Sequence, residues 1–140
     1  MGAWGSGPLE NDDAADFVGD LLDATDPVQA RDILGEALQA VTAGEGYLDA
    51  PTIACGLAAV TVVAVLAGAS APARADDILQ WEFADDLRSD GPLRSEALEA
   101  LNRALDPQDN EWWELWEEAE LLDAVTADAA SLRVALADRR

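Results

Sequence analysis

The 140-residue sequence has no histidine and no lysine, and its only thiol is Cys55. With neither imidazole nor a lysine amine, no ordinary base at neutral pH is present to take a serine proton, so a hydrolytic triad is excluded. One cysteine permits no intramolecular disulfide, no CxxC redox site and, without imidazole partners, no zinc site. Cys55 falls in the apolar run 53–69. Burial there raises a thiol pKa, so a core cysteine is expected rather than a nucleophile. Carboxylate chemistry is what remains, either an acid–base pair or ligation of a hard cation such as Mg²⁺ or Ca²⁺.

Positive charge is almost as scarce. Eight arginines face 29 acidic side chains, and the net charge is −21. Such a balance excludes functions that need a basic footprint, so neither nucleic acid nor anionic lipid is an expected partner. A hydrophobic fraction of 50% nevertheless supports a folded core, and the length suits one domain over residues 1–140. The N-terminus lacks a basic stretch followed by an apolar run, and a cytoplasmic protein is expected. Residues 50–73 are uncharged and long enough to span a bilayer. Their Ala, Gly, Ser, Thr and Pro content, without flanking aromatic or basic belts, points instead to a buried central helix.

Breakers and caps divide the chain into short pieces of helical period. Asn11 caps a first helix whose apolar positions are Ala14, Phe17, Val18, Leu21 and Leu22. Asp26-Pro27-Val28-Gln29 reads as an N-cap, a helix-starting proline and a capping-box glutamine. The helix it opens carries Ala30, Ile33, Leu34, Ala37, Leu38 and Val41 on one side, and Gly44 and Gly46 end it. A third helix after Pro51 is apolar all round, as a helix enclosed by others would be, and Gly68 stops it. A fourth is expected over 76–87, with Leu79, Phe83 and Leu87 at four-residue spacing. Gly91-Pro92 opens a fifth with the stripe Leu93, Ala97, Leu98, Leu101, Ala104 and Leu105. No segment alternates as a strand does. The fold class is therefore all-α, a single-domain bundle of about six short helices around the Ala/Val-rich central one.

The last region is irregular. On one straight helix, Trp112, Trp113, Leu115, Trp116 and Ala119 would share a side, whereas Leu121, Leu122, Val125, Leu132 and Leu136 would fall opposite. Either the helix breaks near Ala119–Glu120 or its halves pack on different partners.

Two acidic constellations stand out. Glu111, Glu114, Glu117 and Glu118, interleaved with Trp112, Trp113 and Trp116, lie in an interval with no basic residue between Arg103 and Arg133. They read either as an interface for a basic protein or as core indoles beside a solvated acidic face. Asp12, Asp13 and Asp16 offer three carboxylates to a metal. Their spacing lacks the glycine and glutamate of a calcium loop, and a helix N-terminus accounts for them equally well.

The opening Met1-Gly-Ala-Trp4-Gly5-Ser-Gly7-Pro-Leu-Glu-Asn11-Asp12 resembles the G-x-W-G-x-G-x-x-x-N-D start of an uncharacterised bacterial domain-of-unknown-function family of small intracellular proteins, common in actinobacteria. Leu115-Trp116-Glu117-Glu118 is similar to its late L-W-E-E box. The resemblance covers nearly the whole chain, with Trp4, Gly5, Gly7, Asn11 and Asp12 as the matching signature positions. It implies fold and context, and carries over no activity, catalytic residue or cofactor. The glycines would let Trp4 lie against the bundle.

Three functional readings follow. The first is an acidic interaction module, most concretely an inhibitor or immunity-type protein that masks a basic partner. A divalent-cation enzyme working through Asp and Glu is the second, and an acidic protein with no charged partner the third.

Overall fold

A computed structural model describes residues 7–69, 75–88 and 90–137. Five of its helices begin on side-chain caps in extended backbone, each accepting the amide three residues on. Asn11 opens α1 (Asp12–Leu22) by accepting from Ala14 at 2.8 Å. Asp26 opens α2 (Pro27–Thr42) by accepting from Gln29, and Gln29 Oε1 turns back to accept both the amide and the hydroxyl of Thr25. Asp49, Asp90 and Asn110 open α3 (Ala50–Leu66), α6 (Gly91–Ala104) and α7 (Glu111–Glu118) in the same way. The short α4 (Asp76–Leu79) and α5 (Ala84–Arg88) lie between α3 and α6, and α8 (Leu122–Ala130) and α9 (Arg133–Ala137) follow α7. Among the described residues no strand occurs. The β-type pairing among them is an isolated parallel bridge between Leu48 and Asn110.

The apolar central helix is enclosed, as its composition requires. Contacts reach α3 from α1, α2, α4, α5, α6, α7 and α9, and nearly all of it from Ile53 to Leu66 is buried. Each buried Leu, Ile or Val contributes about 1.5–3 kcal/mol relative to exposure. Its buried threonine, Thr61, is satisfied within the helix by donating to the Leu57 carbonyl at 2.7 Å. Gly56 sets the spacing of α2 and α3, because a Cβ there would collide with Val41 Cγ2. No helix among the described residues is long and apolar enough to cross a membrane.

Two expectations change, and one open alternative is decided. The segment 76–87 is two short helices, not one. Its buried positions are Ile78, Trp81, Ala84 and Leu87, at three-residue spacing, and Leu79 is exposed. The chain turns between Gln80 and Phe83, which shifts the inward side away from the four-residue stripe. Cys55 is half-buried beside α1 rather than in the core, its Sγ 3.8 Å from the Asp13 carbonyl. The last region resolves into α7, α8 and α9. Glu120 takes a left-handed φ of 61°, its amide donating to Glu117 O and that of Leu121 to Trp116 O, so α7 closes in a Schellman motif. The displaced stripe is thus a chain break, and Val125, Leu132 and Leu136 reach the same core by a new direction. Trp4 and Gly5 lie outside the described residues.

Candidate functional site: the cleft between helices α1, α3 and α7

Two segments about a hundred positions apart in the sequence meet on the N-terminal half of α3. Asn11 and Asp13 at the start of α1, Ala50 and Ala54 of α3, and Trp112, Leu115 and Trp116 of α7 line a shallow, solvent-open cleft. A smaller space sharing Asn11, Ala54 and both indoles continues beneath Gly7 and Pro8 to Val125 and Ala129.

Backbone pairing aligns these elements. Leu48 donates to Asp109 O at 2.9 Å and accepts from the Glu111 amide at 3.0 Å, laying the entry to α7 beside the entry to α3. Asn110 is fully buried there. Its Nδ2 donates to the carbonyls of Ala104 and Asp106 while its Oδ1 accepts from Trp113, so one side chain finishes α6 and starts α7. Arg103 adds a bond to Asp109 O at 3.0 Å.

Helix N-termini attract anions when their amides are free. Here the chain's own oxygens take them: Asn11, Asp49 and Asn110 cap their helices, and Glu111 Oε1 accepts from Ala50 at 2.8 Å. The carboxylates around the cleft therefore set its electrostatics. Burial, followed by the charges of Asp13, Asp16 and Asp49, pushes the Cys55 thiol up, which leaves it protonated and unreactive near neutral pH.

Helix α7 divides between interior and surface. Trp112 and Trp116 are each only 7% exposed and belong to the core cluster, and Trp113 is half-buried. Of the two readings open for this run, the i, i+4 spacing that turns Trp112 and Trp116 inward together matches core indoles beside an exposed acidic face. Glu114, Glu117 and Glu118 are exposed and pair with no arginine among the described residues.

Tyr47, absent from the sequence expectations, supplies an aromatic on this side. It is 54% exposed and lies near Glu114. Partial desolvation, then the Glu114 carboxylate as acceptor and as charge, and the charges of Glu111 and Asp109, raise its phenol above the usual range. Its sequence signal is slight: a lone tyrosine after the Gly44-Glu45-Gly46 turn.

Asp12, Asp13 and Asp16 stand on the exposed side of α1. Among the described residues no group of three or more His, Cys, Asp or Glu side chains converges as a metal site would.

An all-α bundle with a cleft between the starts of α1 and α3 and helix α7 is the class that fold and site define. The chain belongs to the family described as a domain of unknown function, DUF4259, whose model matches residues 2–128. No curated protein and no solved structure is significantly similar to it.

Proposed function

We propose that this protein is a small acidic protein-interaction module of the cytoplasm that masks a basic partner in the manner of an inhibitor or immunity protein. The observation that carries this reading is the internal use of positive charge. Arg31 pairs with Asp90 and Glu96, Arg88 with Asp85 and the Leu66 carbonyl, Arg103 with the Asp109 carbonyl, and Arg133 with Asn102. Against a net charge of −21 this leaves Glu114, Glu117 and Glu118 of α7 exposed and without an arginine partner among the described residues, with Tyr47 near Glu114. Such a face raises the encounter rate with a positively charged protein and weakens as salt screens it.

Co-purification from the native host at low and moderate salt tests the reading. A basic protein should be retained at low salt, fall away as salt rises, and bind less to the triple variant Glu114→Gln, Glu117→Gln, Glu118→Gln. Recovery of no basic protein, or equal retention by the variant at both salt concentrations, would overturn it.

A further inference from the structure

Helix α1 has one broad apolar side, and its outer edge stays open. Ala14 and Leu21 are fully buried, with Phe17, Val18 and Leu22 half-buried against the same core. Ala15, Val18, Gly19 and Leu22 form the edge of this side at i, i+3, i+4 and i+7, the spacing with which a helix meets another helix. This edge lines a solvent-open groove that α4 bounds with Asp76 and Asp77. Ala15 and Gly19 are exposed, and a Cβ built on Gly19 meets nothing within 4 Å among the described residues, which leaves room there for an approaching backbone. Asp16 and Asp20 stand exposed on α1, with Asp76 and Asp77 across the groove, and among the described residues no arginine lines it.

We propose that this groove receives a basic amphipathic helix of the partner protein, which rests on the interaction-module reading and gives it a docking site. The helix lays its apolar side on Val18, Gly19 and Leu22, and its Lys or Arg side chains meet the carboxylates on both banks. The α7 face steers the encounter, and the groove holds the bound segment. A second copy of this chain fits poorly, because two surfaces of the same strong negative charge repel.

The test uses a fluorescein-labelled 14-residue Leu/Lys amphipathic peptide and a Leu/Glu peptide of the same apolar pattern, titrated with the full chain. Anisotropy at two salt concentrations should show the Leu/Lys peptide binding and the Leu/Glu peptide failing to bind. Gly19→Leu fills the groove, and a leucine favours helix over glycine, so this variant should weaken binding about tenfold without lowering Tm. Asp76→Asn with Asp77→Asn should weaken it severalfold and flatten its salt dependence. If Gly19→Leu binds as the parent does, the groove proposal fails while the interaction-module reading stands. A lower Tm for Gly19→Leu would show that the chain itself fills the groove, which also overturns the proposal. Failure of the parent to bind the Leu/Lys peptide at either salt would overturn both.

Discussion

The Glu111 carboxylate accepts the backbone amide of Ala50 at 2.8 Å across 61 positions of sequence, so the first turn of α7 caps the first turn of α3. This residue, which the acidic run places among candidate interface carboxylates, is therefore a joint between two helices. Glu111→Ala should lower the urea-unfolding free energy by about 1–2 kcal/mol, the range for a partly exposed hydrogen bond to a charged group, and Glu111→Gln should recover most of it. Equal loss in both variants would assign the effect to charge rather than to the bond.

Asn110 joins α6 to α7 and is fully buried, with no solvent to replace it. Truncation strands the Ala104 and Asp106 carbonyls and the Trp113 amide. Asn110→Ala is expected to cost about 3 kcal/mol or more, since each stranded buried group costs about 1–3 kcal/mol. Asn110→Asp should be comparably poor, because a carboxylate cannot donate to the two carbonyls. Denaturation midpoints of both variants check this.

Glu120 occupies the left-handed position of the α7 C-cap with a φ of 61° and is exposed. A side chain there is strained, and glycine relieves the strain at some cost in unfolded-chain entropy. Glu120→Gly is expected to stabilise by about 0.5–1 kcal/mol, read as a higher Tm. Glu120→Val should move Tm the other way.

Gly56 and Val41 test how closely α2 and α3 must approach. Gly56→Ala should destabilise by about 1–3 kcal/mol through overpacking against Val41. In the double variant Gly56→Ala, Val41→Ala the two losses should not add, because the second change makes room for the first. Strict additivity in a double-mutant cycle would place the strain elsewhere.

Tyr47 is the only tyrosine in the chain, so its phenolate absorbance can be followed directly. Partial desolvation, then the Glu114 carboxylate as acceptor and as charge, raise its folded-state pKa above the usual 10. A group raised on folding contributes its stability below the unfolded pKa and loses it as pH climbs through the folded one. The native chain should therefore titrate at higher pH than the urea-unfolded chain, and Glu114→Gln should bring the two curves closer.

The starts of α1, α2, α3 and α6 are legible in the sequence, because an N-cap acts within three residues and its signals are adjacent in the chain. The break after Trp116 is legible too, as a jump of the apolar stripe. Its cause, a glutamate in a left-handed cap, is not, since glycine is the usual signal there. The segment 76–87 misleads because it offers apolar residues at both three- and four-residue spacing. Only packing on α3 selects Ile78, Trp81, Ala84 and Leu87 over Leu79 and Phe83. Asn110 and Tyr47 carry little individual signal. One matters through carbonyls four to six residues back, the other through a glutamate on a different element.

By itself the sequence determines the helical class, the enclosed central helix, the exclusion of histidine, lysine and disulfide chemistry, and the excess negative charge. These follow from composition and from interactions a few residues long. The tertiary structure alone decides that Trp112 and Trp116 face inward, that Glu111 caps a distant helix, and that the partly covered edge of the single apolar side of α1 meets Asp76 and Asp77. Each of these outcomes depends on which helices become neighbours, and that is set by competition for the same core rather than by any local stretch of chain.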